Sequence, residues 1–168
     1  MSDLYVSWAE YHTQIEKLAI QIHQSQWEFD HILCLARGGL RVGDVLSRLF
    51  DKPLAILSTS SYGGKDFQER GNLKIASNIT MTTDSLSGRI LLVDDLVDSG
   101  ETLVNILEWL KQHNEFKISE VRSAVIWFKE CSVARPDYYV DFLDDNPWIH
   151  QPFEKYEKQN PQDLLHCV

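Results

Sequence analysis

The stretch Ile90 to Thr102, ILLVDDLVDSGET, limits the possible folds more than any other part of the chain. Ile90 to Val93 form a short continuous apolar run, the pattern of a strand in a parallel sheet covered on both faces. Asp94 and Asp95 then stand at its carboxyl end, the edge of an open α/β sheet where ligands bind. Asp98, Ser99, Gly100, Glu101 and Thr102 make a small-residue turn into a helix whose apolar positions Leu103, Ile106, Leu107 and Leu110 follow the 3.6-residue period. Free amides at such a helix start hold phosphate groups. Acids favour a helix N-terminus through its dipole alone, but that preference does not account for the buried strand in front of them.

A bare carboxylate repels phosphate, so the acids need other work. Neighbouring Asp94 and Asp95 point to opposite sides of the strand end, and one or both can accept hydrogen bonds from ribose hydroxyls or contact water on a substrate-borne Mg²⁺. Asp98, deeper in the turn, is free for proton chemistry. A second candidate phosphate turn, Arg37-Gly38-Gly39, follows the apolar strand His31 to Ala36. Its glycines let backbone amides approach an oxyanion, and Arg37 adds a planar donor fork. Alone, a Gly-Gly turn is equally a plain strand-to-helix connection; the later turn gives it weight.

The rest of the chain alternates in the same way. Ser7 and Glu10 form a capping-box pattern before a helical face of Trp8, Tyr11, Ile15, Leu18, Ala19 and Ile22. Val42, Val45, Leu46, Leu49 and Phe50 mark a second helix, and Leu54 to Thr59 a strand after Pro53. Tyr62 to Asn72, with three glycines and little apolar period, reads as a mobile loop, and Leu73 to Ile79 as its returning strand. Glu120 to Phe128 supplies another strand of a βαβ pattern. From Pro136 onward, prolines and Trp148 among polar residues suggest a small hood, giving one domain with a core over about 1–135 and a hood over about 136–168.

At 168 residues, 43% hydrophobic and 24% charged, the chain can bury the core of one domain. Its formal net charge of −9 argues against nucleic acid or an anionic membrane as the main partner. Cys34, Cys131 and Cys167 are odd in number and lack C-x-x-C spacing, which argues against a disulfide framework or zinc site and for a reduced, cytoplasmic protein. Neither a signal peptide nor an apolar run of membrane-spanning length is seen.

The segment around Asp94 resembles the motif with which type I phosphoribosyltransferases bind 5-phosphoribosyl 1-diphosphate (PRPP). Val6-Ser7-Trp8, Ala36 to Leu40, Ser60-Ser61-Tyr62, Phe128-Lys129, Arg135-Pro136, Asp137 to Asp141 and Trp148 to Pro152 extend the similarity, in the same order, to the bacterial xanthine–guanine enzymes. Phe153 to Val168 has no counterpart. The resemblance implies an open, mainly parallel sheet flanked by helices, with a hood that holds the base. It implies Mg²⁺-dependent transfer of the phosphoribosyl group to N9 of guanine, xanthine or hypoxanthine, with release of pyrophosphate, in a homodimer or homotetramer.

Residue by residue, Arg37, Gly38 and Gly39 would meet the pyrophosphate, with a cis peptide expected at Ala36-Arg37. Asp94 and Asp95 would hold ribose and Mg²⁺, and Ser99, Gly100, Glu101 and Thr102 would bind PRPP through a phosphate. Asp98 would bind PRPP as well and take or stabilise the purine proton. Arg70 matches the loop arginine that reaches pyrophosphate, with Lys65 and Lys74 as alternatives. Lys129 would donate to the 6-oxo group, Trp148 would stack on the base, and backbone groups of Trp148 and Ile149 would read the 2-position. His150 stands where the family has an acid, which leaves the choice among oxopurines open.

Other readings fit less well. A response-regulator receiver places its acidic strand near its start, and too few residues follow Val93 here. Val97-Asp98-Ser99-Gly100 is not the G-x-S-x-G elbow of a serine hydrolase. A non-catalytic PRPP-binding regulator, or a transferase with another acceptor, shares the phosphate motif, but the regulator sits poorly with the acidic composition and with Lys129 and Trp148.

Overall fold

A computed structural model describes residues 3–61 and 73–166. In chain order it contains β1 (Leu4–Tyr5), α1 (Trp8–Gln24), β2 (His31–Ala36), α2 (Gly39–Phe50), β3 (Leu54–Ser61), β4 (Leu73–Ile75), β5 (Ser87–Val93), β6 (Leu96–Val97), α3 (Glu101–Gln112), β7 (Lys117–Lys129), β8 (Tyr138–Leu143) and β9 (Ile149–His150). Two short 3₁₀ segments, Glu154–Glu157 and Pro161–His166, follow. The capping box forms as its sequence predicts: Glu10 N–H donates to Ser7 Oγ at 3.2 Å, and Ser7 N–H to Glu10 Oε2 at 2.8 Å.

The central sheet runs β4-β3-β2-β5-β7-β6, with β8 also paired to β7, and every pairing except β3–β4 is parallel. Strand alternation divides its core. Ile32, Cys34, Leu91, Val93, Ala124 and Ile126 pack with α1 and α2, whereas Leu33, Leu35, Ile90, Leu92 and Val125 pack with α3. Ile32, Leu33, Ile90 and Leu91 are completely buried, each stabilising the fold by about 1.5–3 kcal/mol relative to exposure. Apolar runs in β2 and β5 are thus the price of having helices on both faces.

From β2 the chain crosses to β3 on one side, and from β5 it crosses to β7 on the other. The order reverses between β2 and β5, and their carboxyl ends open the crevice in which such sheets bind ligands. Cys34 pairs with Val93 in register, so β2 and β5 end at the same sheet edge, and Gly38 and Gly39 of the following loop lie against Asp94 and Asp95.

Three details differ from the sequence expectations. Tyr138 to Leu143, expected in the hood, lie in the central sheet as β8; their half-buried, mixed pattern lacks the apolar run of an interior strand. The returning strand expected to reach Ile79 pairs as β4 only to Ile75, after which the chain bends at Ser77 and Thr80 rejoins Ile56. β1 and β9, from opposite ends of the chain, form a separate two-stranded parallel sheet.

Candidate active site

The Ala36-Arg37 peptide at the end of β2 is cis, as the resemblance implies. Gly38 and Gly39 are required by close packing against the neighbouring strand end. A Cβ at Gly38 would overlap the Asp95 carboxylate, and one at Gly39 would stand 2.5 Å from the Val93 carbonyl oxygen. The two loops after β2 and β5 therefore form one structure. Arg37 turns outward, its guanidinium 3.6 Å from Glu157 Oε1 in an exposed pair.

Asp94 is held under the loop, where Asp95 N–H donates to its Oδ1 at 2.9 Å and Gly39 N–H also donates to it. Burial, and then the charge of Asp95, raise the Asp94 carboxyl well above the usual carboxylate range, which the two amides only partly oppose. Asp95 is half-buried; Gln151 Nε2 donates to its Oδ2 at 2.6 Å.

After β6, Gly100 takes φ +81° as the N-cap of α3, a left-handed conformation suited to glycine. Gly100 has no side chain with which to cap the helix, and Ser99 Oγ accepts the Glu101 N–H at 3.3 Å; the helix dipole is directed at the crevice. Asp94, Asp95, Asp98, Ser99, Gly100 and Thr102 line a recess of about 160 Å³ here. The segment leaving β7 closes over the turn, with Val133 N–H donating to the Ser99 carbonyl at 2.8 Å. This brings Lys129 Nζ to 3.1 Å from Asp98 Oδ1; the lysine side chain is 9% exposed and the aspartate 61%. Cys131 Sγ lies 3.9 Å from the same Asp98 oxygen.

A sequence model of the phosphoribosyl transferase domain matches residues 7–158, nearly the whole chain. The chain belongs to the phosphoribosyltransferase family. Over 155 residues, 92% of this phosphoribosyltransferase and 88% of its relative, it is 26% identical to the xanthine-guanine phosphoribosyltransferase of Idiomarina loihiensis. A crystal structure of a purine phosphoribosyltransferase from Pyrococcus horikoshii is 28% identical, with a TM-score of 0.71 over 91% of this chain and 95% of that one. A Helicobacter pylori xanthine-guanine-hypoxanthine phosphoribosyltransferase, 24% identical, shares the fold at a TM-score of 0.72 over 96% and 99% of the two chains. The mainly parallel sheet between helices is the type I architecture that the resemblance implied.

In this phosphoribosyltransferase the remaining described candidates lie at β9 and β4. Trp148 is 55% exposed, while Ile149 packs in the core at 5%. Their strand is pinned by β1, since Leu4 N–H donates to the Trp148 carbonyl at 2.8 Å and Val6 N–H to that of His150 at 3.0 Å. His150 stacks on Tyr5 at 4.3 Å, with Nε2 3.1 Å from Asp3 Oδ2. Lys74 is exposed on β4; Arg70 and Lys65 lie outside the described residues. Sequence reasoning assigned no role to Gln151, although it stands within the Trp148 to Pro152 string that carried part of the resemblance. Nor did it place Cys131 beside Asp98, a contact that depends on how the β7 exit folds back.

The acids also bear on the metal that the family implies. Among the described residues, no group of three or more histidines, cysteines and acids could cage an ion. Two adjacent, half-buried carboxylates suit Mg²⁺, which keeps several waters and takes one or two carboxylates beside substrate phosphates. The donor set therefore fits a Mg²⁺ that arrives with a diphosphate. No helix among the described residues is long and apolar enough to cross a membrane.

Proposed function

We propose that this phosphoribosyltransferase transfers the 5-phosphoribosyl group of PRPP to N9 of a 6-oxopurine, releasing pyrophosphate. The observation that carries this reading is the Lys129–Asp98 pair, set beside the Arg37–Gly39 loop and the start of α3 on one sheet edge. The α3 amides and Thr102 would bind the 5′-phosphate, Asp94 and Asp95 the ribose hydroxyls, and the Arg37–Gly39 amides the pyrophosphate. Mg²⁺ held at Asp95, directly or through water, with Asp94 behind it, would neutralise charge on the leaving pyrophosphate.

In the reaction the N9–C1′ bond forms, the C1′–oxygen bond to pyrophosphate breaks, and the purine gives up one ring proton. Asp98 would take that proton. Lys129 would donate to the 6-oxo oxygen, next to N7 on the same purine edge, the edge on which lysine reads guanine in nucleic acids. Trp148 would stack on the base, with backbone groups of Trp148 and Ile149 at its 2-position. Placement and charge stabilisation do most of the work in such a transfer.

A coupled pyrophosphate assay with PRPP, Mg²⁺ and each purine tests this. Turnover with guanine, xanthine or hypoxanthine is expected. PRPP binding without turnover on any base would point to a regulator, and turnover with only a pyrimidine to a different acceptor.

A further inference from the structure

Gln151 follows β9, far from β5 in sequence, yet it is 9% exposed and donates its Nε2–H to Asp95 Oδ2 at 2.6 Å. A carboxylate only accepts, so the amide nitrogen must face Asp95 and the carbonyl oxygen must turn away. That Oε1 is buried with no hydrogen-bond partner among the described residues. An unpaired buried acceptor is destabilising, and a leucine would fill similar space without it. Packing alone therefore does not explain a glutamine here.

The geometry of Asp95 does. Its Oδ2 is occupied by Gln151, whereas its Oδ1 is the atom closest to where a Cβ of Gly38 would stand. One oxygen is tied down and the other is aimed at the Arg37–Gly39 loop. We propose that Gln151 is a positioning residue, fixing the Asp95 carboxylate so that Oδ1 faces the ribose and the diphosphate of PRPP. This rests on Asp95 being a PRPP ligand. It also joins the two halves of the site, because Gln151 lies two residues beyond Ile149 on the segment assigned to the base.

Calorimetric titration of PRPP with Mg²⁺ into the parent protein, Gln151→Leu, Asp95→Ala and the double variant tests the proposal, with KM, kcat and Tm measured beside it. Loss of a hydrogen bond to a charged group predicts a roughly ten- to hundredfold weaker PRPP Kd in Gln151→Leu, with KM for PRPP rising by more than kcat falls. In the Asp95→Ala background the leucine change should add nothing further, a coupling that a packing role would not produce. Gln151→Glu keeps the shape but sets carboxylate against carboxylate; it should weaken PRPP binding at least as much, and it carries the comparison if the leucine variant fails to fold. Parent-like PRPP affinity in a folded Gln151→Leu or Gln151→Glu variant, or independent additive effects with Asp95→Ala, would overturn the positioning role while leaving phosphoribosyl transfer intact. A parent protein that binds no PRPP would overturn both.

Discussion

Lys129 Nζ lies 3.1 Å from Asp98 Oδ1, joining the strand that would read the base to the turn that would hold the sugar phosphate. An almost buried ammonium is neutralised by a mostly exposed carboxylate, so the acid can exchange this partner for a purine without uncovering the core. If Asp98 takes the purine proton, Asp98→Ala should lower kcat by about 10²–10⁴-fold. PRPP affinity, measured by calorimetry, should stay within a few-fold of the parent. Loss of all PRPP binding would make Asp98 a structural turn residue instead.

Lys129→Met keeps the stem length and removes the charge. The lost bond to the 6-oxo oxygen should lower kcat/KM for guanine and hypoxanthine by roughly ten- to hundredfold. In the parent, adenine would set its amino group against the ammonium, and the unmatched pair should hold its kcat/KM about 10⁴-fold below that of the best oxopurine. A substrate series on both proteins reads the two effects, and adenine as the best parent substrate would remove Lys129 from the base site.

The unit from β5 through α3 was legible in the sequence because its signals are local: an apolar run, two acids, a glycine turn and a helical period within a few residues of one another. The same holds for the capping box and the Arg37-Gly38-Gly39 turn. What was not legible depends on distant partners. β8 looked like hood because Asp141 interrupts the apolar residues of Tyr138 to Leu143 within a stretch rich in prolines and polar residues, and their place beside β7 is fixed by pairing. β1 carries too few residues to announce a strand until β9 meets it. The Gln151 bond to Asp95 spans 56 residues and leaves no periodic trace.

Gly100 tests the local geometry. Its φ of +81° disfavours any side chain, and a Cβ there would approach the Ala134 nitrogen to 2.8 Å. Gly100→Ala should destabilise the fold by about 1–3 kcal/mol, a fall in Tm of roughly 2–10 °C for a domain of this size. An unchanged Tm would mean that the turn adjusts freely.

Alkaline pH should weaken the fold through buried acids in the core. Burial pushes the Cys34 thiol up to about 12, whereas an unfolded cysteine titrates near about 8.5. A raised folded value means that this stabilising contribution is complete below about pH 8.5 and is lost as pH climbs towards 12. Tyr11, raised by burial and then by the Asp95 charge, acts with the same sign above about pH 10. Urea unfolding at pH 7.5 and pH 10 should show a smaller loss of stability in Cys34→Ala than in the parent. Equal losses would clear Cys34 of the effect.

The most direct test of the function is pyrophosphate release from PRPP, measured with guanine, xanthine, hypoxanthine and adenine in turn, with Mg²⁺ present and after chelation. Phosphoribosyl transfer to 6-oxopurines predicts release with at least one of the first three, little with adenine, and none in metal-free buffer until Mg²⁺ is restored. No release with any oxopurine, or full turnover without metal, would contradict it.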